Sequence, residues 1–267
     1  MAPYKKSLGQ HILQNAGAAR RIVDALELSD GDSVLEIGPG RGALTSLLSS
    51  MRVAVTAIEV DMDMADRLRA KFEDCSNVKI VTQDILEFEL DSLDRKAEWK
   101  IVGNLPYNIT SPILAKVFRS YRLFREGVFT VQKEVADRMI AKPGTAAYSS
   151  LSVFTQTYAS AERLFVLKPG SFFPPPKVSS AVVRLVFRES TPLDDSQLED
   201  FSRFVQGIFS QRRKTLLNVL CHITERDKAH VMDRLKRLGI DPSSRPQDIP
   251  LDDYVAVFGE FEGAGNE

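Results

Sequence analysis

Ser33-Val34-Leu35-Glu36-Ile37-Gly38-Pro39-Gly40-Arg41-Gly42 is the stretch whose reading decides the fold. Its first five residues alternate short and branched apolar side chains and read as a strand; the glycines read as a turn, and residues 43–50 as a helix. A strand that feeds a glycine-rich turn and a helix start leaves unpaired N–H groups and an approachable backbone at one edge of a sheet. The alternation continues downstream. Residues 52–58 predict a second strand ending at Glu59, 61–72 a helix, and 78–81 a third strand that runs out at Gln83-Asp84. A fourth covers 99–103 and ends at Asn104, followed by a helix over 111–119; a fifth covers 127–131, with a helix over 132–141. Residues 163–167 and 178–187 predict two last strands joined by a proline-rich turn. Strands alternating with helices predict an α/β, Rossmann-like, doubly wound and mostly parallel sheet, whose ligands lie at the carboxyl ends of the strands.

After Arg188 the pattern changes. Residues 189–195 form a polar, proline-containing linker, and the rest of the chain is helical in period: Leu198, Phe201, Phe204, Val205, Ile208 and Phe209, then Leu216, Leu217, Val219 and Leu220, then Val231, Leu235 and Leu238. The expected division is therefore a Rossmann-like domain over 1–188 and a smaller all-helical domain over 189–267.

Composition bounds the function classes. The chain has 267 residues, 43% of them hydrophobic and 27% charged, which suits one α/β domain plus a smaller one. No apolar run approaches the roughly 20 residues that span a bilayer, and residues 1–7 lack the apolar stretch of a signal peptide. The two cysteines, Cys75 and Cys221, form no metal-ligand or disulfide pattern, so no metal and a cytoplasmic location are expected. A net charge of −1 argues against indiscriminate coating of nucleic acid, yet the charge is unevenly placed. Residues 201–240 carry nine basic side chains against three acidic ones, whereas from Asp241 onward seven acids face Arg245 alone. The basic region, with Arg212-Arg213-Lys214 at its centre, is of the kind that binds phosphates; a solvated helix face is its plainer explanation.

The candidate site residues lie at successive strand ends. Gly38, Gly40 and Gly42 have the spacing G-x-G-x-G rather than the dinucleotide fingerprint G-x-G-x-x-G. That leaves S-adenosylmethionine as the better fit, with a nicotinamide cofactor as the weaker one. Glu59 is placed to accept hydrogen bonds from ribose hydroxyls, a role both cofactors share. Asp84, with Ile85 beside it, suits the amine edge and the face of an adenine, and Glu36 can face the cationic end of the ligand. Asn104-Leu105-Pro106-Tyr107 follows the fourth strand. Asn104 offers an amide oxygen and Leu105 a main-chain carbonyl, Pro106 stiffens the loop, and Tyr107 presents a flat face to a base. Two acceptors and a ring suit the exocyclic amine of a flipped-out purine; an ordinary strand-to-helix turn is the alternative.

Six segments occur in order: residues 7–13 (Ser-Leu-Gly-Gln-His-Ile-Leu), 36–40 (Glu-Ile-Gly-Pro-Gly), 59–61 (Glu-Val-Asp), Gln83-Asp84, 104–110 (Asn-Leu-Pro-Tyr-Asn-Ile-Thr) and 172–178 (Phe-Phe-Pro-Pro-Pro-Lys-Val). Together they resemble the ribosomal RNA adenine dimethyltransferases, the KsgA/RsmA family of small-subunit rRNA modifiers, and residues 211–216 resemble that family's second-domain signature. The resemblance implies methyl transfer from S-adenosylmethionine to N6 of two adjacent adenosines near the 3′ end of 16S rRNA, in a pre-30S or 30S particle, by a monomer with a role in small-subunit biogenesis. Carried over position by position, it implies cofactor contacts at His11, Leu13, Gly38, Glu59, Asp84 and Asn104. The family usually has Asn where this chain has His11. Asn104, Leu105 and Tyr107 would handle the target amine, with Tyr107 on one face of the base and Phe172 or Phe173 on the other. Arg212, Arg213 and Lys214 would bind RNA.

Three other readings compete. A large-subunit methyltransferase of the antibiotic-resistance type shares most first-domain motifs, and the Arg212-Arg213-Lys214 region favours the small-subunit enzyme over it. A non-enzymatic assembly or transcription factor on the same fold would have a degraded 104–107 motif, which here is intact. A nicotinamide oxidoreductase has the wrong glycine spacing.

Overall fold

The computed structural model describes residues 11–261. Residues 7–10 of the first motif, Glu262 and Glu267 lie outside the described residues. In chain order the elements begin with strand β1 (Ile12–Leu13), helix α1 (Ala16–Asp24), β2 (Ser33–Ile37), α2 (Thr45–Leu48), β3 (Ala54–Glu59), α3 (Met62–Lys71) and β4 (Val78–Thr82). They continue with β5 (Trp99–Asn104), α4 (Thr110–Arg119), β6 (Phe124–Gln132), α5 (Lys133–Met139), α6 (Ser150–Tyr158), β7 (Ala159–Leu167), β8 (Phe172–Phe173) and β9 (Ser180–Phe187). Helices α7 (Leu198–Phe209), α8 (Leu216–Thr224), α9 (Lys228–Arg237) and α10 (Leu251–Phe261) complete the chain.

The chain divides into two units. The first takes in the described residues up to Ala136 together with Ala159–Glu189. Its seven-stranded sheet has the order β4-β3-β2-β5-β6-β9-β7. From β4 to β6 all neighbours are parallel, while β9 runs antiparallel to both β6 and β7. The order reverses between β2 and β5, the point at which a doubly wound sheet opens a crevice above its strand ends. Ser33, Val34 and Leu35 pair with Trp99, Lys100 and Ile101, so Ile37 ends level with Gly103 and Asn104 projects one residue further. Gly103 is required there: a Cβ would meet the Ile37 carbonyl oxygen at 2.9 Å, and the two strands could not approach as they do.

Ile22, Leu26, Val34, Leu48, Val55, Val102, Val128 and Val182 form one core under α1 and α2. Burying apolar surface on this scale is the main force holding the helices to the sheet, at about 25 cal/mol per Å² removed from water. Asn15 caps α1, its side chain accepting the Ala18 N–H at 2.9 Å. Helix α2 is shorter than the expected 43–50 because residues after Pro39 are used in a tight turn, with the Gly42 N–H on the Pro39 carbonyl at 2.8 Å.

At the amino end of β5, opposite the crevice, Lys100 is buried. Its Nζ donates to the carbonyls of Leu26 and Glu27 at 2.8 and 2.7 Å and pairs with Asp32 and Glu126 at 3.1 and 2.9 Å. Arg184 joins the group through Glu126 and Glu27. Burial of so many charges is tolerable only because each has a partner.

The second unit comprises Asp137–Tyr158 and the described residues from Ser190 on. This corrects the single boundary expected at 188/189. Ala141, Tyr148 and Val153 share one apolar core with Phe201, Val205, Leu216, Leu220, Val231, Leu235 and Tyr254, so the segment carrying α6 belongs with the C-terminal helices. Arg212 ties the two stretches together by donating to the Ala146 and Tyr148 carbonyls at 3.1 and 2.8 Å. Among the described residues no helix is long and apolar enough to cross a membrane.

Candidate functional site

A cavity of about 220 Å³ opens above the carboxyl ends of β2, β3, β4 and β5. Its lining includes His11, Leu13, Glu36, Gly38, Glu59, Asp84, Ile85, Asn104, Leu105 and Tyr107, so the fold brings together residues that are up to 96 positions apart. Phe172, Phe173 and the Arg212-Arg213-Lys214 triplet are not part of it.

Glu36 is sealed, at 1% exposure. The Thr45 hydroxyl donates to its Oε2 at 2.7 Å, and burial pushes its carboxyl group up to about 7. Glu59 is equally buried, and burial raises it as well. Its two oxygens accept the Gly40 and Asp61 N–H groups, each at 3.0 Å, so β3, the glycine turn and the start of α3 are joined through one carboxylate. Asp61 caps α3 by accepting from the Met64 N–H at 3.2 Å. Asp84 Oδ1 accepts the Leu86 N–H at 2.8 Å, and Ile85 is buried beside it.

Gly38 has φ of +64°, and no atom lies within 4 Å of the position a Cβ would take. It can hold that left-handed backbone without strain and leaves the cradle open for a ligand. Three carboxyl groups around an open glycine turn suit a ligand that carries positive charge, and S-adenosylmethionine, with a sulfonium and an ammonium, fits this donor set. A dinucleotide pyrophosphate would meet the same acids with the wrong sign.

At the end of β5, Asn104 Nδ2 donates to the main-chain carbonyl of His11 at 2.6 Å. Its Oδ1 is buried, lies among the groups lining the cavity, and has no hydrogen-bond partner. A buried amide oxygen without a donor is costly unless a ligand supplies one. The Leu105 side chain is buried, and its N–H is held by the Thr130 carbonyl at 3.0 Å, which ties the loop to β6. The Tyr107 hydroxyl is bound to Ser180 Oγ on β9 at 2.5 Å. Burial raises the pKa of that phenol, and the hydroxyl is committed to the protein, leaving the ring as its free surface.

The comparisons with known proteins agree with this geometry. The family model described as ribosomal RNA adenine dimethylase matches residues 1–262. The chain belongs to that family. This dimethylase is 38% identical over 257 residues to ribosomal RNA small subunit methyltransferase A of Geobacter metallireducens, covering 95% of this chain and 94% of that one. Its counterpart in Xanthomonas campestris is 39% identical, with 96% and 95% covered. Among solved structures, a dimethyladenosine transferase from Plasmodium falciparum superposes with a TM-score of 0.82 at 27% identity over 96% of this chain and 98% of that one. The 23S rRNA methyltransferase ErmE does so at 0.73 and 26%, over 94% and 99%.

Two expected roles are corrected. Phe172 is 3% exposed and packs in the core of the first unit, paired across the β1–β8 ribbon with Leu13; it is a packing residue and cannot stack on a base. Phe173 is 45% exposed. Arg212 spends its guanidinium on two carbonyls of its own unit, whereas Arg213 and Lys214 are exposed. The basic region is also partly neutralised, because Arg203, Arg234 and Arg237 pair with Asp200, Glu260 and Asp233. Three partners escaped the sequence reading: Thr45, Ser180 and the His11 carbonyl. None carries a local signal, since each acts across 9 to 93 residues.

Proposed function

We propose that the cavity transfers methyl groups from S-adenosylmethionine to N6 of two adjacent adenosines near the 3′ end of 16S rRNA, giving N6-dimethyladenosine. The observation that carries this reading is Asn104 Oδ1: a buried, unpartnered acceptor at the strand end, with the other side of its amide already engaged. An adenine amine is a poor nucleophile because its lone pair is delocalised into the ring. Accepting its N–H bonds at Asn104 Oδ1 and the Leu105 carbonyl favours a pyramidal nitrogen and aims the lone pair across the cavity. Bound S-adenosylmethionine supplies an activated methyl on its sulfonium. Glu36, Glu59 and Asp84 hold that cation and its adenosine, Gly38 admits it, and His11 and Leu13 border it. Tyr107 stacks on the flipped base, and exposed Phe173 is the remaining candidate for the other face. Positioning and electrostatics then supply most of the rate.

Arg213 and Lys214 are proposed to contact rRNA phosphates in a pre-30S or 30S particle, with the helical unit as the RNA-binding part and a monomeric, cytoplasmic protein as the working form. The second reading, a large-subunit enzyme, draws on the ErmE likeness at 26% identity; the small-subunit relatives at 38–39% outweigh it. The test is transfer of labelled methyl to undermethylated small subunits, followed by mass spectrometry of the rRNA. Dimethyladenosine in 16S rRNA is expected. Label confined to large-subunit RNA overturns the assignment.

A further inference from the structure

We propose that His11 is a positioning residue that locks the Asn104 amide in one of its two flip states, and so sets the balance between first and second methyl transfer. The inference rests on the adenine-methyltransferase reading above. Three contacts meet at His11. Its main-chain carbonyl accepts Asn104 Nδ2 at 2.6 Å. Its ring Nδ1 lies 2.7 Å from the Pro174 carbonyl, and since a carbonyl only accepts, Nδ1 carries the proton. The imidazole also packs against Tyr107, with ring centroids 5.1 Å apart and planes tilted by 37°. The side chain is thus held between the loop after β8 and the loop after β5, and the carbonyl it belongs to is held with it.

A carboxamide rotated by 180° keeps its shape and exchanges oxygen for NH₂. With the His11 carbonyl facing it, one flip state makes a hydrogen bond and the other sets oxygen against oxygen. The lock therefore presents Oδ1 to the cavity, where it is buried and unpartnered. A flipped amide would present donors to an incoming amine, donor against donor. The first transfer has two N–H bonds to place on acceptors; after it one remains, so a misaligned acceptor harms the second transfer more. A cofactor ligand at this position would behave differently, weakening S-adenosylmethionine binding and leaving the product ratio alone.

The test uses His11→Phe, which keeps a ring without a donor, and His11→Asn, whose amide can again donate to the Pro174 carbonyl. In single-turnover transfer to undermethylated small subunits, His11→Phe should slow the second step about tenfold and accumulate N6-methyladenosine, while S-adenosylhomocysteine affinity by calorimetry stays within about twofold. His11→Asn should restore the dimethyl product. In protein labelled with ¹⁵N-asparagine, the Asn104 side-chain protons, assigned by their loss in Asn104→Asp, should exchange with solvent about tenfold faster in His11→Phe. Unchanged exchange overturns the lock, as does a large loss of S-adenosylhomocysteine affinity with an unchanged product ratio. Wild-type protein that methylates no RNA would overturn the functional reading alone, and amide exchange would still decide the lock.

Discussion

The Thr45 hydroxyl donates to Glu36 Oε2 at 2.7 Å, across the glycine turn that separates β2 from α2. The contact joins the strand to its helix through a carboxyl group that water barely reaches, and which burial holds at about 7 against an ordinary 4.5. Between those two values the folded protein binds a proton that the unfolded chain has released, so Glu36 lowers stability as pH rises from about 4.5 to 7. Glu36→Gln keeps an acceptor for Thr45 and removes the titration. Urea unfolding should find the variant gaining on wild type through that window, by about 3 kcal/mol above pH 7. Equal pH slopes in the two proteins would rule this out. The ionised carboxylate is also the form that attracts a cationic ligand, so wild-type affinity for S-adenosylmethionine should rise with pH through the same window and that of the variant should not.

Asn104 and Tyr107 should separate cleanly. Asn104→Ala removes the acceptor at the strand end and is expected to cost about 10³-fold or more in transfer rate, since positioned polar groups in a dry site are worth that much. Tyr107→Phe loses only a hydroxyl already bound to Ser180 and should stay within about tenfold of wild type. Transfer assays in which Tyr107→Phe is as inactive as Asn104→Ala would sink the stacking role.

Phe172 and Phe173 are neighbours with opposite fates. Phe172→Ala leaves a hole in the core of the first unit and should cost about 3–5 kcal/mol in chemical unfolding. Phe173→Ala removes an exposed ring and should change stability by less than about 0.5 kcal/mol while slowing transfer. An active Phe173→Ala enzyme would leave the second face of the base to another group.

In the triplet, Arg212→Ala should lower the melting temperature, because the Ala146 and Tyr148 carbonyls lose their donor. Arg213→Ala and Lys214→Ala should leave melting unchanged and weaken binding to 16S rRNA, each reducing the slope of log affinity against log salt by about 1. Filter binding across a salt series checks this; an unchanged slope in both would remove the triplet from the RNA contact.

Lys100→Met strips the buried Asp32 and Glu126 of their cation and should destabilise the protein by about 3–5 kcal/mol, with Glu126→Gln recovering part of the loss in the double variant. Urea titration of the three variants is the measurement. A neutral Lys100→Met would mean that Arg184 alone balances the group.

The sequence by itself determined the local elements and the acids at their ends. Ser33–Ile37 and Trp99–Asn104 were legible residue for residue because buried strands have a composition of their own, and Glu36, Glu59, Asp84 and Asn104 because each sits where an apolar run stops. The two-residue β1 and β8 have no period to read, and nothing in the α6 segment says that its apolar face belongs to the later helices. Tertiary structure alone decided that Phe172 packs while Phe173 is exposed, that Arg212 is a tie within its own unit, and that the His11 carbonyl meets the Asn104 amide. The physical reason is range. Periodicity and turn chemistry act over a few residues, whereas a hydrogen bond between positions 93 apart exists only once the sheet has set their strand ends side by side.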